Sequence, residues 1–137
     1  MLDDINMKEL SKVEAKNLNP LQLAFIGDAV YEVYVRTYIL YDNKELLVNK
    51  MHKKAIHYVK AQGQSRIMHE IEQELSEDEH YIFKRGRNTK SATVPKNADV
   101  RDYRMATGFE ALIGYLYLTG EKERLIYILN KCVEIIK

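Results

Sequence analysis

Apolar positions along this chain recur at helical spacing. Nowhere do they alternate with polar ones over the length that a half-buried strand requires. The pattern predicts an all-α fold. The first strong helix opens at Asn19-Pro20, a capping residue followed by proline at the first helical position. It runs through LQLAFIGDAVYEVYVRTYIL and stops near Asp42-Asn43. A second helix is expected over residues 45–60 and a third over 65–74. Ser76 and Glu79 form an S-x-x-E capping box that opens a fourth, ending near Gly86. Asp99 or its neighbour caps a fifth, which reaches about Leu118, Gly120 breaks it, and a terminal amphipathic helix follows over 121–136. Between the fourth and fifth helices, GRNTKSATVPKNAD has neither period nor bulk and contains Pro95. It is expected to be a long exposed loop over residues 86–99, of the kind that is usually functional or disordered in a compact domain. No repeat or low-complexity tract divides the chain, so residues 1–137 read as a single domain.

Composition narrows the class. Hydrophobic residues make up 46% of the 137, enough for a real core. The 21 basic and 20 acidic side chains leave a net charge of +1, so attraction to a charged partner must come from segregation along the chain. The lone Cys132 sits in an apolar run and reads as a small buried hydrophobe in a reducing compartment. The acidic N-terminus lacks the apolar stretch of a signal peptide, and charge interrupts every apolar run before it could span a bilayer. A cytoplasmic protein without membrane association is expected.

Two carboxylates stand where carboxylates are costly. The first helix is apolar nearly all round, which marks it as a core helix, and from Leu21 to Val35 its only charges are Asp28 and Glu32. In the fifth, from Met105 to Gly120, the only charge is Glu110, among Phe109, Leu112, Ile113, Tyr115, Leu116 and Tyr117. A buried carboxylate must be paired, hydrogen-bonded, neutral or bound to a cation. Gly27, Gly108 and Gly114 suggest helices in close approach, which could aim Asp28 and Glu110 at one point and suit a hard ion such as Mg²⁺. Ordinary ion pairs or a surface stripe are the other reading, Asp28 with Arg36 or a partner's lysine and Glu110 with Arg104 or Lys122.

Charge is segregated. Residues 50–66 hold five Lys or Arg and no acid, residues 84–104 hold seven against Asp99 and Asp102, and residues 70–79 hold six acids and no Lys or Arg. The segment KRGRNTKSATVPK, with Arg85, Arg87, Lys90 and Lys96, is the better candidate for phosphate contact. The cluster over 50–66 reads as a solvated helix face. His52, His57, His69 and His80 lack metal-ligand spacing and are assigned to the surface or to satisfied hydrogen bonds.

The stretch Phe25-Ile26-Gly27-Asp28-Ala29-Val30 resembles the signature helix of the ribonuclease III family, E-x-x-E-F-L-G-D-A-V. T-G-F-E-A-L-I-G, from Thr107, resembles the family's D-x-x-E-A-L helix, and KRGRNTKSATVPKNADV followed by YR brings the match nearest to the short branch of that family. Three acidic family positions are absent: Ala24 and Leu21 replace those before the aspartate, and Thr107 replaces the aspartate before the glutamate. Asp28 and Glu110 therefore carry over as catalytic and metal-binding residues, while Glu32 is not a family position. The resemblance implies a helical homodimer that hydrolyses double-stranded RNA with Mg²⁺, Mn²⁺ being a conceivable substitute, and leaves 5′-phosphate and 3′-hydroxyl ends. Long members append a double-stranded-RNA-binding domain, for which the stretch after Gly120 is too short. The short branch implies maturation of the large-subunit (23S) ribosomal RNA precursor in the cytoplasm, assisted by a ribosomal protein. A non-catalytic RNA- or ribosome-binding module on the same fold is the alternative.

Overall fold

The computed structural model describes residues 7–90, 96 and 99–137, and among them there is no strand. Seven α-helices follow in order: α1 (Lys12–Lys16), α2 (Pro20–Asp42), α3 (Val48–Val59), α4 (Ala61–Ile71), α5 (Glu77–Asn88), α6 (Val100–Leu118) and α7 (Lys122–Ile136). A 3₁₀ turn, Glu72–Glu74, extends α4.

Local chemistry sets most boundaries. The Asn19 side chain accepts from the Leu21 amide at 2.9 Å, and Gln22 Oε1 accepts from the Asn19 amide at 3.0 Å, closing the start of α2 reciprocally. Ser76 and Glu79 close α5 in the same way. Asp99 accepts from the amides of Arg101 and Asp102 at the head of α6. Gly120 stops α6 with φ of +71°, a conformation that L side chains rarely adopt.

Three boundaries depart from the sequence reading. Helix α1, with its own Ser11–Glu14 capping box, is an addition; the backbone bond from Leu10 N to Leu118 O, 2.8 Å, ties the residue before it to the end of α6. The second and third helices are separated only by extended Lys60, so α4 begins at Ala61 rather than 65. Helix α5 continues through Gly86 to Asn88, because Gly86 is a packing glycine rather than a stop: a Cβ there would lie 2.9 Å from both Ala111 Cβ and Gly108 Cα. The expected loop over 86–99 is shortened accordingly. Its residues 91–95, Pro95 included, and 97–98 lie outside the described residues, as does the N-terminal stretch 1–6.

The core is organised around α6, whose residues from Met105 to Leu116, Glu110 excepted, are all buried. Helix α2 packs along it, with α4 and α5 on further sides. The Tyr31 ring meets Phe109 edge-on with centroids 5.0 Å apart, and its hydroxyl donates to the Tyr58 carbonyl. Cys132 is fully buried, and burial pushes its thiol above the usual range, so it is not a nucleophile. Helix α2 is less enclosed than its all-round apolarity suggests. Leu23, Ala24, Tyr31, Val35 and Ile39 face inward, but Phe25 is 78% exposed and Val33 65%.

Candidate active site

The close approach expected from the glycines is realised where α2 crosses α6 for Gly27 and Gly114, whereas Gly108 packs against Phe83 of α5. A Cβ on Gly27 would stand 1.7 Å from the Glu110 carbonyl oxygen and 2.7 Å from the Gly114 amide nitrogen. Conversely, a Cβ on Gly114 would stand 2.0 Å from the Leu23 carbonyl oxygen. No side chain of any size fits at either place, so backbone rests on backbone. Asp28 follows Gly27 directly, and Glu110 supplies the carbonyl on which Gly27 sits. The crossing itself therefore brings the two carboxyl groups together.

Their chemistry reflects that proximity. Burial pushes the Glu110 carboxyl up to about 8, the neighbouring Asp28 adds to the rise, and the side chain of Gln64 opposes it. Asp28 is on the exposed side of α2. Among the described residues the expected pairs within the chain do not form: Arg36 Nε donates to Glu32 Oε2 at 2.9 Å, and the groups acting on Glu110 are Asp28 and Gln64 rather than Arg104 or Lys122. Two acids thus face each other without a cationic side chain between them, one partly buried and one at the surface.

The positions where the family carries further acids offer no replacement. Ala24 is buried, and the buried Thr107 spends its hydroxyl on the Tyr103 carbonyl at 3.0 Å. Among the described residues no group of three or more His, Cys, Asp or Glu side chains could hold a metal ion.

The four basic candidates divide. Arg85 and Arg87 belong to the last turn of α5, not to a loop. Arg85 Nη1 donates to the Lys16 carbonyl, and its guanidinium lies over the Tyr81 ring at 5.7 Å. Arg87 lies over Phe83 at 5.5 Å and donates to Asn88. Lys90 and Lys96 are exposed. The histidines behave as expected: His52, His57 and His69 are exposed, and His80 Nε2 lies 3.1 Å from Glu72. The basic cluster over 50–66 lies on solvated faces of α3 and α4 and at their junction. Three acids of the acidic stretch are held in internal pairs, Glu74 with Lys131, Asp78 with Lys16, and Glu79 with Arg124.

Gln64 escaped the sequence reading. It is 1% exposed, on the face of α4 that meets α6. A glutamine carries no charge to mark it, and in a polar run such as AQGQSR it reads as a surface residue.

The described residues thus form an all-helical domain with two acids brought together over a glycine-lined helix crossing. Residues 21–121 match the model of the Ribonuclease III domain. Mini-ribonuclease 3 of Clostridium tetani is 56% identical over 128 residues, covering 93% of this chain and 85% of its own. That of Thermoanaerobacter sp. is 52% identical over 132 residues, covering 96% and 92%. A crystal structure of a Fusobacterium nucleatum protein superposes with a TM-score of 0.78 at 34% identity, covering 86% of this chain and 93% of the other. The chain belongs to the ribonuclease III family, within its Mini-ribonuclease 3 branch. It is an endoribonuclease with the all-α fold of that family, and the reading as a non-catalytic module is set aside.

Proposed function

We propose that the chain, acting as one catalytic domain over residues 1–137, cleaves double-stranded RNA with Asp28 and Glu110 as the acids of its active site. The observation that carries this reading is the enforced meeting of the two carboxyl groups at the Gly27–Gly114 crossing. Two like-charged groups held together in a partly buried place resist ionising together, and a divalent cation offsets that repulsion. Hard oxygen donors with no sulfur or imidazole beside them suit Mg²⁺, with Mn²⁺ as substitute. Only two protein acids are available, so water and RNA phosphate would complete the ion's shell. When bound, such an ion supplies Lewis-acid stabilisation of the phosphoryl oxygens and a water of lowered pKa.

The residues supply the rest. Asp28 lies at the surface, where a phosphate can arrive, while Glu110 is held by the backbone beneath it. Cleavage breaks the bond between phosphorus and O3′, and the incoming oxygen leaves as part of the 5′-phosphate. An A-form duplex presents phosphates and 2′-hydroxyls rather than readable base edges, so recognition is by shape. Lys90 and Lys96, both exposed, are proposed for that contact. Arg87 and Arg85 are proposed to reach phosphate from α5, Arg85 while anchored to α1.

Family relationship motivates the finer assignments. The proposed substrate is the large-subunit (23S) ribosomal RNA precursor in the cytoplasm, with a ribosomal protein assisting. No described helix is long and apolar enough to cross a membrane. A homodimer is proposed as the working form, and the exposed Phe25 beside Leu21 and Ile26, one turn before Asp28, offers an apolar surface for a second copy.

The direct test is incubation of the purified chain with a long RNA duplex in Mg²⁺ and, separately, in EDTA. Cutting in Mg²⁺ alone supports the reading; equal cutting in EDTA rejects the metal, and binding without cutting rejects cleavage of double-stranded RNA by this chain. Replacing Lys90 and Lys96 together by Ala should weaken RNA binding and reduce the slope of log affinity against log salt by about 1.5–2, as expected for two lost phosphate contacts. An unchanged slope would remove these lysines from the RNA face.

A further inference from the structure

Gln64 is buried beside Glu110, and its surroundings hold it there. Gly63 lets the start of α4 press against the end of α3, since a Cβ on it would fall 2.9 Å from the His57 carbonyl oxygen. Ser65, on the other side, is 2% exposed. The register of α4 is therefore tightly fixed, and it turns the Gln64 side chain into the interior.

An interior amide is costly unless its donors and acceptor are used. Yet Gln64 Nε2 is buried and makes no closed hydrogen bond in this arrangement. The group it stands beside is the Glu110 carboxyl, across the contact of α4 with α6. A protein fold gains little by keeping an unsatisfied amide in its core when an apolar residue of equal length would fill the same space. A donor aimed at one acid of the proposed site has a use there.

We propose that Gln64 is a positioning residue, whose amide N–H orients the Glu110 carboxylate for cation binding. This rests on the reading of Asp28 and Glu110 as the cation site and extends it to a third helix, α4. Groups that hold a ligating carboxylate from behind contribute strongly to affinity, since without them the carboxylate turns freely or is protonated in place.

The experiment is Mn²⁺ binding to the full chain without RNA, followed by electron paramagnetic resonance of the free ion, in the wild type and in Gln64→Met and Glu110→Met. Methionine keeps the length of either side chain and removes its polar head. The wild type should bind Mn²⁺ and Glu110→Met should lose it. Gln64→Met should raise the dissociation constant about 10-fold or more while its thermal midpoint without metal is not lowered. If Gln64→Met binds as the wild type does while Glu110→Met does not, the role of Gln64 is rejected and the cation site stands. If Glu110→Met binds as well as the wild type, the cation site itself is rejected. Should Gln64→Met fail to fold, the side-chain amide protons of Gln64 decide the matter by nuclear magnetic resonance. They should resonate downfield in the wild type and move upfield in Glu110→Met, and unmoved resonances would overturn the proposal.

Discussion

Replacing Asp28 by Asn should lower the rate of RNA cleavage by about 10³-fold or more while leaving the fold in place. The substitution removes one negative charge with almost no change of shape, at an exposed position on α2. In the proposed role Asp28 holds the metal, and loss of such a carboxylate forfeits several kcal/mol of transition-state stabilisation, each 1.36 kcal/mol being tenfold in rate. Glu110→Gln should cost a similar factor, with an additional signature in stability. The Glu110 carboxyl is pushed up to about 8 from an ordinary value of 4.5. Between these values the folded chain holds a proton that the unfolded chain has released. Stability is therefore full below about pH 4.5 and falls as pH rises toward 8. Glu110→Gln lacks that fall. It should be more stable than the wild type at pH 8.5 by about 2 kcal/mol, allowing for the carboxyl's partial exposure to solvent, and no more stable at pH 4. Urea unfolding at the two pH values without divalent ions measures the difference. Full cleavage activity in Asp28→Asn, or a pH-independent stability difference in Glu110→Gln, would refute the account of the acid pair.

The second large effect belongs to the backbone. Gly27→Ala should destabilise the chain by about 4 kcal/mol or more, beyond the usual range for a single substitution. The new methyl group would need to occupy space 1.7 Å from the Glu110 carbonyl oxygen, which cannot rotate away as a side chain could. Relief requires α2 and α6 to separate, and every contact along their length weakens with it. Because the same separation moves Asp28 from Glu110, any folded remainder of Gly27→Ala should also cleave poorly. A thermal midpoint within a few degrees of the wild type would contradict the packing described at this crossing.

How far the sequence anticipates this arrangement depends on the residue. Asn19-Pro20, Ser76 with Glu79, and Asp99 place the starts of α2, α5 and α6 correctly, because capping is local chemistry. The site is legible through two charges in apolar helices and through glycines whose helix-interior cost calls for a reason. Elements settled by distant contacts are not legible. Helix α1 is five residues long and docks through the Lys16–Asp78 ion pair and the bond from Leu10 to Leu118. Gly86 looks like a stop and is instead a notch for α6. Arg85 and Arg87 look like loop cations and prove to be helical, with rings beneath them. Gln64 was invisible because burial of a neutral amide depends on how α4 is turned, and one polar residue more or less hardly alters the helical period.

The seat of the acid pair has a consequence for how activity fails. Asp28 and Glu110 stand on long helices locked where main chain touches main chain, and neither rides on a loop. Their alignment is completed when the chain folds, so no ordering step remains for the arrival of RNA. On heating, catalytic competence should consequently persist up to the melting transition and vanish with it, rather than fade some degrees earlier as it does in enzymes whose reacting groups ride on loops.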